Sequence, residues 1–394
     1  MHNKKKTPMQ KVDMTSAPVA IIGGGLSGLY AAYLLAQKGI DYILLEARDS
    51  LGGRILASNF LKGPALEQPT SQHFGSDSVQ EVDSFDLGPS WFWPDYQLQL
   101  SDLVNELQLE TFAQFEEGDM MVERAPNEAA VRMQGYKSSP TSMRLTGGMT
   151  ALIEALYRRL DSSRVFNSQI VRRLHKTGKH IEITSEDASG QVTTWRAQHV
   201  LLALPPRLAE DTIAFEPALP SNMITQWRNT ATWMAPHAKY FAIYDTPFWR
   251  EQGLSGSARS SQGPMVEIHD ASSMSGNGAL FGFIGVPASV RQSVSDAVLK
   301  AHCRAQLVRL FNEQADTPKA EYLKDWSQDT FTATTADASS DGQHTVAPVS
   351  KAASGVWSDC LTGIGSEWSP QFSGYIAGAI EAASLAVQGL PEKI

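Results

Sequence analysis

The chain has 394 residues, of which 42% are hydrophobic and 19% are charged. This composition is typical of a globular protein of two or three domains, and it excludes a disordered, collagen-like or fibrous chain. The formal net charge is −9, and the basic cluster at residues 4–6 lies in a polar leader, so we expect no nucleic-acid partner. Two cysteines, Cys303 and Cys360, are too few for a disulfide framework or a cysteine-based metal site and favour a reducing compartment.

Residues 1–16 are predicted to form a flexible leader, because they are polar and contain no apolar stretch after the lysines. No later run of uncharged apolar residues approaches the roughly 18 residues that a membrane span requires. The sequence therefore predicts a soluble, cytoplasmic protein without a membrane partner, and it leaves a homodimer open.

A β-α-β unit is predicted directly after this leader. Residues 19–22 form a short, continuous apolar run, which is typical of a strand buried on both faces. A glycine-rich turn at 23–28 leads into a helix pattern that Lys38 and Gly39 close. Residues 42–46 then predict a second buried strand.

The glycine-rich turn predicts a dinucleotide site. Gly23-x-Gly25-x-x-Gly28 lies between a predicted strand and a predicted helix, the context that makes this pattern specific. Gly23 allows the tight turn, Gly25 lets a pyrophosphate approach the backbone, and Gly28 brings the helix against the strand. Glu46, at the end of the second strand, is placed to accept hydrogen bonds from ribose hydroxyls. These residues alone leave FAD and NAD open.

The rest of the chain alternates between helix and strand patterns. Residues 55–85 are rich in Ser, Gln, Gly and Pro and predict a long surface excursion. Apolar residues at helical spacing predict helices over 98–107, 149–160, 295–314 and 371–388, the last with Gly374 and Gly378 on one face. Alternating or continuous apolar runs predict strands over 181–184, 192–195, 199–204, 239–244, 264–268 and 280–286.

A second glycine pair follows the ribose-binding carboxylate. The stretch from Glu46 to Arg54 would place further amides and a cation beside the same anionic cofactor. With this stretch, residues 19–54 resemble the opening of the flavin-containing amine oxidase family, which includes monoamine oxidases, polyamine oxidases and L-amino-acid oxidases. Further motifs resemble that family in the family's own order: Asp86 to Trp91, Leu145 to Met149, Val200 to Pro206, Lys239 to Trp249, Trp326-Ser327, Gly365 to Glu367 and Ser373 to Ala379.

The resemblance implies an α/β fold with two domains. One is an FAD/NAD(P)-binding Rossmann-like domain, expected from three separate stretches, 17–115, 147–222 and 325–394. The other is a substrate-binding domain of mixed β-sheet flanked by helices, expected from 116–146 and 223–324. The chain is shorter than typical family members, and the missing length is expected around 115–144.

The resemblance also implies FAD as a non-covalently bound cofactor. Thr335 stands where some members attach the flavin through cysteine. Val171 corresponds to the residue whose backbone meets the adenine, Arg54 would offset phosphate charge, and Glu367 would contact the cofactor through backbone or water. The residues predicted to bind FAD are Gly23, Gly25, Leu26, Ser27, Gly28, Glu46, Ala47, Arg48, Gly53, Arg54, Gly88, Pro89, Ser90, Trp91, Val171, Trp326, Gly365, Glu367 and Tyr375.

Lys239 and Tyr375 are the catalytic residues that the resemblance implies. In the family, a lysine at the position of Lys239 holds a water against the reactive ring nitrogen, and its charge could favour electron transfer to dioxygen. A lysine that merely caps a strand edge is the structural alternative. Tyr375 matches one wall of an aromatic cage that orients the amine, whereas Ala336 stands where the second tyrosine would be.

The second wall of the substrate pocket is therefore predicted elsewhere. Trp91, Phe92 and Trp93 are the candidates, with a role in the core as the alternative. Arg144 is a candidate receptor for a substrate carboxylate, although an arginine before a helix is more often a surface residue.

The sequence thus predicts an FAD-dependent oxidoreductase that oxidises a small-molecule amine or amino acid to the imine, with hydride transfer to flavin and reoxidation by dioxygen to hydrogen peroxide. Two alternatives stay open: a desaturase or dehydrogenase of the protoporphyrinogen-oxidase or carotenoid-desaturase type, and a flavin-binding protein without turnover. No metal site is predicted, because none of the nine histidines has a metal-ligand spacing. No Gly-x-Ser-x-Gly elbow of a serine hydrolase is present either.

Overall fold

A computed structural model describes residues 15–60, 83–126, 128–339 and 346–391. Residues 1–14 of the predicted leader and 61–82 of the predicted excursion lie outside the described residues. The strands of the described chain are β1 (Ser16–Ile22), β2 (Tyr42–Leu45), β3 (Ala57–Phe60), β4 (Asp83–Asp86), β5 (Thr111–Ala113), β6 (Asp119–Glu123), β7 (Val131–Met133), β8 (Met143–Leu145), β9 (Val165–Phe166), β10 (Ile170–Thr177), β11 (His180–Glu186), β12 (Val192–Leu202), β13 (Ala214–Glu216), β14 (Ala238–Tyr244), β15 (Leu254–Ser260), β16 (Met265–Asp270), β17 (Gly278–Ile284), β18 (Ala320–Asp325) and β19 (Leu361–Gly363). Its helices are α1 (Leu26–Gln37), α2 (Leu98–Glu106), α3 (Thr150–Tyr157), α4 (Pro206–Thr212), α5 (Ser221–Asn229), α6 (Phe248–Glu251), α7 (Ala288–Arg291), α8 (Asp296–Phe311) and α9 (Ile376–Gln388).

An eight-stranded sheet carries the predicted β-α-β unit. Its order is β13-β10-β11-β12-β1-β2-β9, with β19 paired to β12. Strand β1 runs parallel to both β2 and β12, and α1 is the crossover from β1 to β2. Val19 and Ile21 pack into one apolar core and Ala20 and Ile22 into another, which explains why this strand is apolar at every position.

The meander β10-β11-β12 is antiparallel and joins this parallel set through β12. The two strands predicted over 192–195 and 199–204 are one continuous strand, because Arg196 and Ala197 pair with Ser16 and Ala17 of β1. Ser16, predicted as the end of the leader, is therefore the first residue of β1. Pairing with a neighbour extends both strands beyond their apolar cores.

A seven-stranded sheet forms the second half of the molecule, in the order β18-β14-β17-β16-β15-β6-β7. All seven residues of β14 are buried. Tyr240 and Ala242 pack with α8 in one core, whereas Phe241 and Ile243 pack with Phe281 in another. Because side chains alternate along a strand, Lys239 lies on the same face of β14 as Phe241 and Ile243.

The strands of the two sheets come from different stretches of the chain. Those of the eight-stranded sheet lie within 16–45, 165–216 and 361–363, and those of the seven-stranded sheet within 119–133 and 238–325. This alternation follows the predicted division into an FAD-binding and a substrate-binding domain to within one residue. The division itself stays a prediction.

The last helix begins at Ile376 and not at residue 371, because residues 369–375 form a turn. The carboxylate of Glu381 accepts hydrogen bonds from Ser369 Oγ and Gln371 N and so holds this turn against α9. A Cβ at position 378 would lie 2.1 Å from the carbonyl oxygen of Phe372, so only glycine permits this approach. The turn delivers Tyr375 to the start of α9.

The other predicted elements differ mainly at their ends. The helix expected over 295–314 runs from Asp296 to Phe311, with Ser295 as its N-cap. The ends of the predicted excursion, β3 and β4, pair with each other. Within the described ranges, none of the helices combines the length and apolarity needed to cross a bilayer.

Candidate active site

A cavity of about 700 Å³ opens at the carboxyl ends of β1, β2 and β12, the place where parallel α/β sheets bind ligands. Side chains of β14 and β17 close it from the other sheet. The predicted site residues that line it are Gly23, Gly25, Leu26, Ser27, Glu46, Ala47, Arg48, Gly53, Arg54, Gly88, Pro89, Ser90, Trp91, Trp93, Val171, Lys239, Gly365 and Tyr375. The structure thus brings both catalytic candidates into one cavity with most of the predicted cofactor residues.

The glycine turn between β1 and α1 forms an open cradle at one end of this cavity. Gly23 has a φ of +109°, and a Cβ on Gly28 would lie 1.9 Å from the carbonyl oxygen of Gly23. A Cβ on Gly25 would have no neighbour closer than 3.8 Å, so the space beside it is free. No side chain caps the N-terminus of α1, and its first turn carries no acidic residue. Amide donors and an open approach fit the pyrophosphate of a dinucleotide.

Glu46 lies next to this cradle and is 3% exposed. Its carboxylate accepts hydrogen bonds from Gly24 N at 2.5 Å and from Arg48 N at 2.8 Å. Burial raises the pKa of the Glu46 carboxyl, although Arg48 and the backbone donors oppose the shift. A buried carboxylate with lone pairs to spare fits the hydroxyl groups of a ribose.

Arg48 is fixed by a segment of the chain that the sequence analysis did not assign. Its Nη2 donates to Asp329 Oδ1 at 2.6 Å and to Thr332 Oγ1 at 3.2 Å, and its guanidinium lies 5.3 Å from the ring centre of Phe331. Phe331 and Thr332 line the cavity. Their approach depends on the tertiary fold, and only the preceding Trp326-Ser327 motif marks the region in the sequence.

Arg54 lines the cavity and is paired with Glu367. Arg54 Nη1 lies 2.5 Å from Glu367 Oε1, and Nη2 lies 3.0 Å from Oε2, so the pair is bidentate. Glu367 is buried beneath Arg54 and is not among the described lining residues. Its side chain therefore orients Arg54 and compensates its charge at the cavity wall.

Lys239 enters the cavity from β14, a strand of the other sheet, and is 2% exposed. Its Nζ donates to the carbonyl oxygen of Gly88 at 2.5 Å and lies 3.4 Å from Ser90 Oγ. The rings of Phe281 and Phe283 lie 4.5 Å and 5.1 Å from Nζ. This lysine is in the interior of a sheet, so the alternative of a strand-edge cap is wrong.

Burial lowers the pKa of Lys239 to about 7, with Asp86 opposing the shift and Arg144 adding to it. Burial likewise raises the pKa of Asp86 to about 6, against the effects of Arg144, the Met149 N–H and Lys239. A lysine that titrates near neutral pH in a closed cavity is suited to hold or release a proton there.

The segment Trp91-Phe92-Trp93 forms part of the wall near Lys239. Phe92 exchanges two backbone hydrogen bonds with Met143, at 3.0 Å and 2.9 Å, so the segment is extended and its side chains alternate. Trp91 and Trp93 line the cavity, whereas Phe92 is buried in the core. The ring of Trp93 meets that of Tyr375 edge to face, with centroids 6.3 Å apart and planes at 82°. Trp93 and Tyr375 thus form one continuous aromatic surface of the cavity.

Arg144 does not lie in the cavity, contrary to its expected role as a carboxylate receptor. It is 6% exposed, and its Nη1 and Nη2 donate to the carbonyl oxygens of Ser272 and Ala271, each at 3.0 Å. Its guanidinium packs 5.0 Å from the ring centre of Phe112. The expected surface position is equally wrong, because these contacts bury the side chain.

Two further predicted cofactor residues lie behind the wall. Gly28 packs α1 against the turn at Gly23 and Ala203. Trp326 is buried, and its Nε1 donates to the carbonyl oxygen of Leu87 at 3.3 Å. Both shape the cavity without lining it.

Trp233, Met234 and Phe283 are among the lining residues that had no signal in the sequence. Phe283 is the register partner of Lys239 across β14 and β17. Trp233 contributes its carbonyl oxygen, which accepts a hydrogen bond from Arg54 at 3.2 Å. Strand register and loop position place these residues, and neither is visible in a local motif.

Comparisons with known proteins agree with this geometry. Residues 129–390 match the family model for flavin containing amine oxidoreductases, and residues 21–107 match that for an NAD(P)-binding Rossmann-like domain. A probable flavin-containing monoamine oxidase A of Dictyostelium discoideum is 22% identical over 95% of this chain and 98% of the relative. A putrescine oxidase of Kocuria rosea is 24% identical over 80% of this chain and 83% of the relative.

Solved structures show the same fold. A putrescine oxidase bound to putrescine superposes with a TM-score of 0.73, at 19% identity, over 95% of this chain and 98% of that one. The cyclohexylamine oxidase of Brevibacterium oxydans gives a TM-score of 0.74, at 18% identity, over 94% and 98%. The predicted α/β fold with a Rossmann-like domain is confirmed, and so is the predicted family. The chain belongs to the flavin-containing amine oxidoreductase family and is an FAD-dependent oxidoreductase of the amine oxidase type.

Proposed function

We propose that this protein oxidises a small-molecule amine or amino acid to the imine and delivers the electrons to dioxygen. The observation that carries the proposal is the position of Lys239, buried in the same cavity as the dinucleotide cradle at Gly23 to Gly28. Two similar proteins, a putrescine oxidase and a cyclohexylamine oxidase, are named for amine substrates, which supports an amine as the substrate.

The proposed reaction removes a hydride from the carbon that bears nitrogen and a proton from the nitrogen. Two electrons and two protons then convert dioxygen to hydrogen peroxide, so that atoms and charge balance. The redox chemistry is that of FAD when bound. The protein's part is to hold the reactants and to control protons.

Each part of the cavity has a role in this proposal. The glycine turn and Glu46 would hold the pyrophosphate and a ribose of FAD. Trp93 and Tyr375, which contact each other edge to face, would together present one aromatic surface that orients the amine. Lys239, with a pKa lowered by burial to about 7, would hold a proton beside the reacting atoms and favour electron transfer to dioxygen.

The test is the visible absorbance of the purified protein, repeated without oxygen after addition of primary amines, polyamines and L-amino acids. We expect a flavin band that one substrate class bleaches, and hydrogen peroxide when air is readmitted. A flavin band that no amine or amino acid bleaches would contradict the proposal and favour a desaturase or a flavin-binding protein without turnover. A protein that takes up no FAD would contradict the assignment of the cradle as well.

A cytoplasmic location is also proposed. Cys303 and Cys360 are both free and buried, as is usual for thiols in a reducing compartment. The homodimer stays a prediction.

A further inference from the structure

Trp91 and Trp93 have their polar atoms fixed away from the cavity that they line. Trp91 Nε1 donates to Gln114 Oε1 at 2.7 Å, and Trp93 Nε1 donates to Ser142 Oγ at 3.0 Å. Both acceptors are buried, and neither is among the described residues that line the cavity. Each indole therefore turns its N–H into the protein and presents ring carbon to the cavity.

The orientation of Gln114 follows from its own contacts. Its Nε2 donates to the carbonyl oxygens of Asp270, at 2.7 Å, and Phe115, at 3.1 Å. A reversed amide would set Oε1 against these two carbonyls, so Oε1 must face Trp91. The carboxylate of Asp270 is held in turn by a bidentate contact with Arg250. A buried network thus fixes the acceptor for Trp91.

Ser142 directly precedes β8 and lies beside Gln114, which directly follows β5. Gln114 N donates to the carbonyl oxygen of Ser142 at 2.8 Å, and Ser142 N donates to Ser138 Oγ at 3.2 Å. The two acceptors are therefore adjacent, as are Trp91 and Trp93, whose side chains share one face of their segment. Both indoles are held by the same small pair of strands, β5 and β8.

The charged groups of the cavity are already engaged. Its arginines are paired with carboxylates: Arg48 with Asp329, Arg54 with Glu367 and Arg172 with Glu186. Among the described lining residues one carboxylate is found, that of Glu46, and it is bound at the dinucleotide end. Lys239, the remaining charged group among the described lining residues, donates to the carbonyl oxygen of Gly88. A second ammonium on a substrate therefore has no unpaired carboxylate to meet among these residues, and a carboxylate has Lys239 alone.

On the basis of the proposed function, we infer that Gln114 and Ser142 are positioning residues that hold Trp91 and Trp93 as an apolar wall of the cavity. This wall selects amines with an uncharged body over diamines and amino acids. A cation is attracted to an indole face, but the cost of removing an unpaired charge from water is larger. An apolar body instead gains from the same surface.

Three matched compounds test the selection in the unmodified protein. n-Pentylamine and 1,4-diaminobutane have the same number of non-hydrogen atoms, and 2-aminohexanoic acid is n-pentylamine with a carboxylate on the reacting carbon. We expect the KM for n-pentylamine, measured from steady-state hydrogen peroxide release in air, to be at least about tenfold lower than for the other two. A KM for either charged compound equal to or below that of n-pentylamine would overturn the inference. Flavin that none of the three bleaches would overturn the proposed function with it, and this outcome is distinct from altered selectivity.

Variants of the acceptors test the positioning role. In Ser142→Ala, Trp93 loses its acceptor, so we expect the KM for n-pentylamine to rise by about tenfold and kcat to change less. The ratio of the KM for 1,4-diaminobutane to the KM for n-pentylamine should become smaller. Ser142→Thr keeps the hydroxyl and should restore the ratio. Ser185→Ala is the matched control, because Ser185 Oγ accepts Trp195 Nε1 at 2.8 Å in the other sheet. A ratio in Ser142→Ala equal to that in Ser185→Ala, with FAD content unchanged in both, would overturn the positioning role.

Discussion

The ammonium group of Lys239 donates a hydrogen bond of 2.5 Å to the carbonyl oxygen of Gly88 and thereby joins the seven-stranded sheet to the loop after β4. Both residues line the cavity. The lysine is consequently held in the cavity by a backbone atom, and its position does not depend on a flexible side-chain partner.

Replacing Lys239 by methionine should slow the reaction of the reduced enzyme with dioxygen by at least about tenfold, an increase of about 1.4 kcal/mol in the barrier. Methionine fills a similar volume but provides no charge or proton. FAD content should not change, because the cradle is formed by β1 and α1, whereas Lys239 belongs to the other sheet. Stopped-flow mixing of reduced enzyme with oxygenated buffer measures the rate, with Lys179→Met, at an exposed position, as the control. An unchanged rate would remove Lys239 from the reaction with dioxygen.

The pH dependence of the same step should depend on Asp86. Asp86 raises the pKa of Lys239 against the effect of burial, so Asp86→Asn should lower that pKa further below 7. The ammonium is lost as pH rises through the pKa, so the fall in the reoxidation rate should move to lower pH, by about one unit. Asparagine can still accept the Met149 N–H through Oδ1, which keeps the start of α3 in place.

Rates measured between pH 5 and 9 would show this shift. Asp95→Asn, at an exposed position, serves as the control. If the reoxidation rate of Asp86→Asn falls at the same pH midpoint as that of the unmodified protein, the charge of Asp86 does not influence the pKa of Lys239.

Two glycines of the same turn should behave differently when replaced by alanine. Gly25→Ala should leave the stability of the cofactor-free protein nearly unchanged, because the added Cβ meets nothing closer than 3.8 Å. The same substitution should weaken FAD binding by at least about tenfold, because the Cβ fills the approach to the amides. Gly28→Ala should destabilise the fold by about 1–3 kcal/mol or more, because the Cβ would lie 1.9 Å from the carbonyl oxygen of Gly23. Thermal unfolding without FAD and titration with FAD separate the two effects. Equal FAD affinity in Gly25→Ala and the unmodified protein would show that the cradle is not the pyrophosphate site.

Glu381 should influence the substrate although it lies on the far side of the turn that carries Tyr375. Glu381→Gln weakens the hydrogen bonds to Ser369 and Gln371, since a charged acceptor binds more strongly than an amide. We expect the KM for an amine to rise several-fold with kcat and FAD content nearly constant. Glu154→Gln removes an exposed carboxylate from α3 and is the comparison. Identical KM values in the two variants would mean that Tyr375 keeps its place without Glu381.

The features that sequence patterns predicted are those decided by local physics. The apolar run at β1, the glycine turn and the alternation of the antiparallel strands each depend on neighbours within a few residues. The length of β12 does not, because Arg196 and Ala197 are strand residues only through pairing with β1. The start of α9 depends on Glu381 and Gly378, which hold the preceding turn out of the helix.

The same distinction applies to the site. A family motif indicated Lys239, but its setting beside Phe283 is a matter of strand register. Arg144 was assigned to the pocket by its charge, whereas the carbonyl oxygens of Ala271 and Ser272, more than a hundred residues away, determine its position. Charge alone does not show whether a long side chain will meet solvent, substrate or the protein's own backbone.

The pairing of Phe92 with Met143 constrains how the length of this segment can change. A single residue inserted or deleted between Pro89 and Trp91 would shift the alternation by one, so that Phe92 would face the cavity and both indoles would turn toward the core. Such a change would lose a packed phenylalanine and separate two indole N–H groups from their acceptors, Gln114 and Ser142. Tolerated length variants of this loop should therefore differ by two residues. Whether the loop has an even or an odd number of residues would then show more about the wall of the pocket than the identity of any single residue in the loop.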